Sequence, residues 1–167
     1  MVNLEAHITD PKVIETLNSV SDPEIPVLSV VDMGIIRSIK MEGEKIVIDI
    51  IPTYTGCPAM DTIAMDLKLA FAEIGYVAEV NLKLAPAWTT DMISENGRRK
   101  LEEYGIAAPL ESSLDKAALL DGERLVKCTN CGSQNTKLVS QFGSTPCKAL
   151  FKCEDCLEPF DYFKCLK

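Results

Sequence analysis

Residues 128–156 read CTNCGSQNTKLVSQFGSTPCKALFKCEDC and contain two Cys-x-x-Cys pairs separated by 21 residues. Two residues between cysteines let a turn direct both sulfurs towards one ion, and 21 residues are enough for a β-hairpin that returns the second pair. A structural zinc ion is the predicted occupant, because four protein sulfurs leave no position for a catalytic water. An iron ion bound by the same sulfurs and a pair of disulfides are the alternatives. The predicted ligands are Cys128, Cys131, Cys153 and Cys156.

The chain has 167 residues, which is long enough for one domain of ordinary size and a small second unit. Its seven cysteines are an odd number, and no basic segment followed by an apolar one opens the sequence. No run approaches the roughly 18 apolar residues of a membrane span. These features predict a cytoplasmic protein in a reducing environment, without a membrane partner.

Charge is distributed unevenly along the chain. Residues 1–123 contain 10 Lys and Arg against 21 Asp and Glu, whereas residues 124–167 contain 7 against 4. An acidic main domain repels nucleic acid, and a tail that is nearly neutral after metal binding offers it little attraction. Protein partners are therefore expected, and nucleic acid is not.

Helix and strand signals alternate over the first half of the chain. Asp10 before Pro11 predicts a capped helix that ends near Ser21, and the prolines of the following DPEIP segment (22–26) predict a loop. The remaining predicted elements are strands over 35–39 and 46–51 around a turn at 42–44, a helix from Pro58 to Gly75, and a strand over 77–84. We therefore predict an α+β fold, with a small α-β-β-α-β domain whose helices cover a mixed sheet, followed by a four-cysteine zinc ribbon.

The segment beyond Pro86 predicts a helical stretch over 89–105 with a break near Gly97. Residues 106–123 are predicted to be a linker that holds a short helix, since residues 112–115 fit a capping box. The predicted organisation is a domain over 1–105, a linker over 106–123 and the zinc ribbon over 124–167.

A candidate pocket lies at residues 53–58, TYTGCP, between the second strand and the long helix. Cys57 would face the positive end of the helix dipole, which favours thiolate over thiol, and Gly56 would permit close approach of backbone or ligand. One interpretation is that the fold brings the carboxylates of Asp22, Glu24 and Asp32 near this cysteine. The alternative is that Cys57 is a buried apolar residue and the carboxylates cap helices or face solvent.

Three of these segments resemble a known family. DPEIP at 22–26, VVDMGI at 30–35 and the pattern from Thr53 to Pro58, Thr-x-x-x-Cys-Pro, are similar to the iron–sulfur cluster assembly family known as domain of unknown function 59. The resemblance implies that the chain assists iron–sulfur protein maturation, with a functional pocket of Cys57, Asp22, Glu24, Asp32 and Thr53.

A second resemblance covers nearly the whole chain. PAWTTD at 86–91, residues 104–106, FGSTPCKAL at 142–150 and PFDYFK at 159–164 are similar to the D-component family of the bacterial phenylacetyl-CoA epoxidase system. The likeness implies a part in aerobic phenylacetate catabolism, in which a di-iron oxygenase epoxidises the ring and a reductase supplies electrons. The oxygenase and reductase components are the implied partners.

The chain contains the sequence motifs of neither the oxygenase nor the reductase. A di-iron bundle requires Glu-x-x-His pairs, whereas His7 is the sole histidine, and the Gly-x-Gly-x-x-Gly pattern of a dinucleotide fold is absent. We therefore expect an accessory protein that is not an enzyme. The first hypothesis is a maturation factor in which Cys57 contacts iron or an iron–sulfur cluster transiently. The alternatives are a structural component that docks on the oxygenase and a protein that uses Cys57 as a thiol nucleophile. The sequence does not decide whether the chain forms a homodimer.

The tail holds further cysteines and half of the aromatic side chains. Cys147 and Cys165 could pair with each other, pack as small apolar groups or lend a second metal site, and packing is the prediction in a reducing cytoplasm. Five aromatic residues lie in the last 44 positions. Some are predicted to fill the ribbon core and the rest to form an exposed docking patch.

Overall fold

The computed structural model describes residues 10–110 and 125–164, together with Leu114 and Leu119. Its contacts divide the chain into two compact units. One contains the residues up to Trp88 and Met92–Gly97, and the other contains Thr89–Asp91 and the residues from Arg98 onward. Each unit is described separately below.

The first unit begins with helix α1, Pro11–Ser19, at the predicted cap. The carboxylate of Asp10 accepts a hydrogen bond from the backbone N–H of Lys12 at 2.9 Å, and Pro11 occupies the first helical position, where no amide hydrogen is required. Val13 and Leu17 are buried on the inner face. The Asp10 cap thus fixes where this helix begins, and the spacing of its apolar residues fixes which face is buried.

A mixed three-stranded sheet forms the centre of the first unit. Strands β1 (Ile36–Glu42) and β2 (Lys45–Ile50) are antiparallel, and strand β3 (Val77–Leu82) lies parallel to β2 on its other side. Helix α2, Ala59–Glu73, makes the crossover between the two parallel strands. The predicted domain with helices on a mixed sheet is confirmed. The core between sheet and helices includes Ile46, Ile48, Ile50, Ile63, Leu67 and Phe71.

The segment after Trp88 is tied back to the first unit by hydrogen bonds. The indole N–H of Trp88 donates to the carbonyl of Met33 at 2.9 Å, and the backbone N–H of Ser94 donates to the carbonyl of Asp32 at 2.9 Å. A 3₁₀ turn at Thr90–Met92 precedes helix α3, Glu95–Tyr104. The predicted break near Gly97 is therefore wrong in position. It falls before the helix, because the hydroxyl of Ser94 caps the first turn by accepting from the N–H of Gly97 at 2.8 Å.

The second unit is a four-stranded sheet in the order β4-β7-β6-β5. Its strands are β4 (Ile106–Ala107), β5 (Thr136–Ser140), β6 (Lys148–Cys153) and β7 (Pro159–Phe163), and all neighbours are antiparallel except β4 and β7. The core includes Ala149, Phe151, Phe160 and Tyr162, and the rings of Phe151 and Tyr162 meet edge to face at 5.4 Å. Most of the tail aromatics therefore fill the core, and Phe142, 61% exposed, lies outside it.

The domain boundaries given from the sequence stay a prediction. The contacts nevertheless group Arg98–Tyr104 with the second unit, and Ile106–Ala107, inside the predicted linker, forms a strand of its sheet. The short helix predicted from residues 112–115 lies outside the described residues except for Leu114 and Leu119. Within the described part of the chain, no helix is long and apolar enough to cross a bilayer.

Gly34 provides a test of how tightly the first unit is packed. Its φ is +67°, and a Cβ added there would lie 2.1 Å from the carbonyl oxygen of Met92. Gly34→Ala should therefore lower the free energy of unfolding by about 3–5 kcal/mol, from strained backbone and steric overlap together. Urea unfolding measures this loss.

Gly43→Ala is the matched control for that measurement. Gly43 has a φ of +64°, but a Cβ there would meet no atom within 4 Å. The control isolates the backbone cost and should lose only about 1–2 kcal/mol. Equal losses in the two variants would contradict the close approach of Met92 to Gly34.

Candidate functional site

The four cysteines of the second unit converge on one point. The sulfurs of Cys128 and Cys156 lie 3.6 Å apart, those of Cys131 and Cys153 also lie 3.6 Å apart, and all four lie within 4.8 Å of one another. Bonds of about 2.3 Å from a tetrahedral ion place sulfurs roughly 3.8 Å apart, whereas a disulfide requires about 2.05 Å. The arrangement fits a tetrahedral metal ion and does not fit two disulfides.

Two equivalent turns hold the cysteine pairs. The backbone N–H of Cys128 donates to the carbonyl of Ser133 at 2.9 Å, and that of Cys153 donates to the carbonyl of Glu158 at 2.9 Å. In each turn the residue after the second cysteine has a positive φ, +74° at Gly132 and +66° at Leu157. Such a turn aims both sulfurs of a pair to the same side, and the hairpin of β5 and β6 brings the two pairs together.

Electrostatics within the cluster also favour a cation. The backbone N–H of Ser133 stabilises the Cys131 thiolate and lowers its pKa. Cys156, desolvation and the thiols of Cys153 and Cys128 raise that pKa by more, so that the net value is about 12. The backbone N–H of Glu158 instead lowers the pKa of Cys156 to about 7. Four thiolates cannot form this close together without a positive charge between them, and a divalent ion supplies it.

Cys57 lies just before helix α2 in the first unit and is half-buried. Burial raises the pKa of its thiol, the backbone N–H of Ala59 and the side chain of Tyr54 lower it by less, and the charges of Glu24 and Asp22 raise it further. The N–H of Ala59 at the helix terminus lowers the pKa as expected, but burial and the two carboxylates outweigh this N–H and the Tyr54 side chain, so that the net pKa is raised. The same interaction places Asp22 and Glu24 near Cys57, and a functional role for the three residues stays a prediction.

The other pocket residues have separate roles in the structure. Asp22 is buried, and its carboxylate accepts from the backbone N–H groups of Glu24 at 2.7 Å and Ile25 at 2.9 Å, which shapes the loop. Asp32 is buried too, and its carboxylate accepts from the hydroxyl of Ser94 at 2.6 Å. Thr53 is buried in the loop before Cys57.

Sequence reasoning missed the partners of Asp32. Ser94 and Asn96 both donate to its carboxylate, the latter at 3.1 and 3.2 Å, across more than 60 positions of sequence. The only local signal is that Ser94 stands where a helix cap belongs, before Glu95. Close approach of backbone to Gly56 is not observed, since a Cβ there would meet no atom within 4 Å, and its φ of +83° accounts for the glycine. Close approach of a ligand stays a prediction.

Cys147 is buried in the second unit, where its sulfur lies 3.0 Å from the hydroxyl of Thr145. This is the environment expected for a packed cysteine. Cys165, with which Cys147 would pair in the alternative prediction, lies outside the described residues.

Comparison with known proteins agrees with the two units. Residues 10–82 match the family model described as iron-sulfur cluster assembly protein, and residues 112–164 match the model described as PaaD zinc beta ribbon domain. The crystal structure of a domain of unknown function DUF59 from Bacillus anthracis is 26% identical, with a TM-score of 0.50 over 54% of this chain and 88% of that one.

Two curated relatives extend the comparison. The putative D component of 1,2-phenylacetyl-CoA epoxidase from Escherichia coli (strain K12) is 45% identical over 165 residues, 96% of this chain and 98% of the relative. An Fe-S protein maturation auxiliary factor from Porphyromonas gingivalis (strain ATCC BAA-308 / W83) is 31% identical over 103 residues, 60% of this chain and 97% of the relative.

Fold and site together define a class of protein with an iron–sulfur assembly unit followed by a metal-binding four-cysteine ribbon. Within that class, the chain belongs to the family of the phenylacetyl-CoA epoxidase D component.

Removal of one sulfur tests the metal cluster. The second unit is small, and the binding free energy of a structural metal, of order 10 kcal/mol, becomes part of its folding free energy. Cys153→Ser should release the ion and unfold the ribbon, because Cys153 is buried in the core as well as in the cluster. Metal analysis and near-ultraviolet circular dichroism of the purified chain measure both effects. A variant that keeps a full equivalent of metal would contradict the four-sulfur site.

The raised pKa of Cys57 predicts slow reaction with alkylating reagents at neutral pH. A raised pKa means a smaller thiolate fraction at pH 7 than in an ordinary cysteine, so that the rate should climb only at alkaline pH. Glu24→Gln removes a nearby negative charge and should shift the rate profile to lower pH. Mass spectrometry of the Cys57 peptide after iodoacetamide pulses measures the rate. Glu44→Gln, at the turn between β1 and β2, is the control and should leave the profile unchanged.

Proposed function

We propose that this protein is a maturation factor for iron or iron–sulfur centres of the phenylacetyl-CoA epoxidase system. On this proposal it is an accessory component without catalytic activity of its own, and its clients are the oxygenase and reductase components. The names of the two relatives support the two halves of the proposal, since one is described as a component of that epoxidase and the other as an Fe–S maturation factor.

The observation that carries the proposal is the surroundings of Cys57. A half-buried thiol stands before a helix, and the charges of two carboxylates, Glu24 and Asp22, act on it. A thiolate sulfur is a ligand that iron accepts, and the negative charge of the two carboxylates would attract a cation towards it. This group lies within the residues that match the iron–sulfur assembly family. Iron or a cluster would be cargo at this position, bound by Cys57 and released to a client.

The ribbon has a different task in this proposal. We assign its ion as zinc, because four sulfurs at tetrahedral spacing form a closed structural site and the matching family model describes a zinc ribbon. A closed site has no open coordination position for a substrate. The ribbon metal would therefore maintain the fold of the second unit, and cargo chemistry would remain with Cys57.

A second candidate function is a docking component of the oxygenase complex. The observation that favours it is that several apolar side chains of the second unit are exposed, among them Phe142 at 61% and Leu157 at 63%. Leu157 also has a positive φ, an uncommon conformation for a bulky residue. On this alternative the ribbon binds the mature oxygenase, and Cys57 packs without contacting metal.

Cys57→Ala separates the two functions. The side chain lost is small, so that the free energy of unfolding should fall by at most about 1–3 kcal/mol. Under the maturation role, oxygenase and reductase co-expressed with the variant should be deficient in iron or cluster. Metal content and phenylacetyl-CoA turnover of the purified partners measure the effect.

Cys147→Ala is the matched control, because it also removes one cysteine that lies outside the four-sulfur cluster. Partners matured with this control should carry normal iron. If partners matured with Cys57→Ala were equally complete, the maturation role of this cysteine would be refuted and the docking function favoured.

A further inference from the structure

Strand β3 lies at an open edge of the sheet in the first unit. The order β1-β2-β3 makes β1 and β3 the two edges. The pairing of β1 with β2 shifts register between Ile36 and Ser38, an irregularity that commonly protects an edge, whereas β3 pairs regularly along its whole length. Apolar side chains remain exposed along it, with Leu82 at 53% and Leu84 at 65%.

The backbone of β3 presents a regular row of groups on its outer side. The N–H groups of Val77 and Lys83 donate to β2, to the carbonyls of Glu44 and Ile50 at 2.8 Å each. In a parallel ladder alternate residues face the same neighbour. The N–H and C=O groups of the intervening residues, Ala78, Val80 and Leu82, therefore point away from β2, where the part of the chain that the structure describes places no strand.

The two faces of this edge differ in polarity. Ala78, Val80 and Leu82 lie opposite the buried side chains Ile46, Ile48 and Ile50 of β2, and so belong to the face that the helices cover. Glu79, Asn81 and Lys83 belong to the other face. There Lys45 pairs with Glu79 at 2.8 Å and Lys83 with Asp49 at 3.7 Å.

We propose that β3 pairs with β3 of a second copy of this chain, antiparallel and centred on Asn81, to form a continuous six-stranded sheet. In this register Val80 stands opposite the partner's Leu82, and Ala78 opposite the partner's Leu84. Val80 and Leu82 have outward N–H and C=O groups, so that the central pairs exchange hydrogen bonds in both directions. The apolar side chains of the two copies cover one another on the helix-covered face.

Charge complementarity selects this register. With Asn81 at the centre, Glu79 stands opposite the partner's Lys83, and the symmetry repeats the pair. The two pairs extend the existing Lys45–Glu79 and Lys83–Asp49 contacts into rows of alternating charge across the joined sheets. A register centred on Val80 would satisfy the backbone equally, but it would place Glu79 opposite Asn81 and Lys83 opposite Val77, without any ion pair. This interface is independent of the proposed function.

Sedimentation velocity of the full chain over a wide concentration range tests the dimer. Leu82→Pro removes one outward N–H and keeps the pairing with β2, which is where a strand tolerates proline. This variant should raise the dimer dissociation constant at least about tenfold, whereas Leu82→Thr, which keeps the N–H, should raise it less. A wild-type chain that stays monomeric at every concentration, or a dimer that Leu82→Pro leaves unchanged, would overturn the proposal.

A charge-reversal cycle tests the register and does not depend on the proline variant. Glu79→Lys and Lys83→Glu each create two like-charge pairs per dimer, and each should weaken association by about tenfold. The double variant restores opposite charges and should associate within about threefold of the wild type. Thermal unfolding of each monomer checks that the fold is intact. A double variant that associates no better than either single variant would overturn the pairing centred on Asn81.

Discussion

The constraint on which the second unit depends is the charge repulsion that four thiolates would have when their sulfurs are held within 4.8 Å of one another. The backbone N–H of Glu158 and the neighbouring thiols stabilise a thiolate at Cys156 and lower its pKa, and a second thiolate beside it at Cys131 is disfavoured, so that the pKa of Cys131 is raised. A divalent ion relieves the repulsion for all four. Cys128 and Cys153 belong also to the apolar core with Phe151. Because these two cysteines serve the cluster and the core at once, metal binding and core formation in this unit are coupled.

In the first unit, two buried carboxylates hold loop segments in position through hydrogen bonds. Asp22 holds the loop that contains Glu24, and Asp32 receives hydrogen bonds from Ser94 and Asn96. Burial of a carboxylate is costly unless donors surround it, and here donors do surround it. Asp32 thus acts as an anchor for the segment before α3. The carboxylates whose charges act on Cys57 are Glu24 and Asp22.

How much the sequence predicts depends on the range of the interaction that decides each feature. The cap at Asp10 and the Cys-x-x-Cys pairs are local patterns, and the elements they predict are present. Strand β4 has two residues, too few for any periodicity, and its pairing with β7 depends on chain more than 50 positions away. The pKa of Cys57 departs from the expectation for a related reason. Proximity to a helix terminus is visible in the sequence, whereas burial and the charge of Glu24 depend on the fold.

The raised pKa of Cys57 suits the proposed cargo role better than a thiolate would. A metal must displace the proton from a thiol in order to bind, so that a raised pKa lowers the apparent affinity of the sulfur for iron at neutral pH. Weak binding favours release to a client, whereas the closed cluster of the ribbon favours retention. The protonated thiol also resists oxidation, because the thiolate is the reactive form. On the proposed function, the chain combines a closed four-sulfur site that retains its metal with a single cysteine from which cargo would be released.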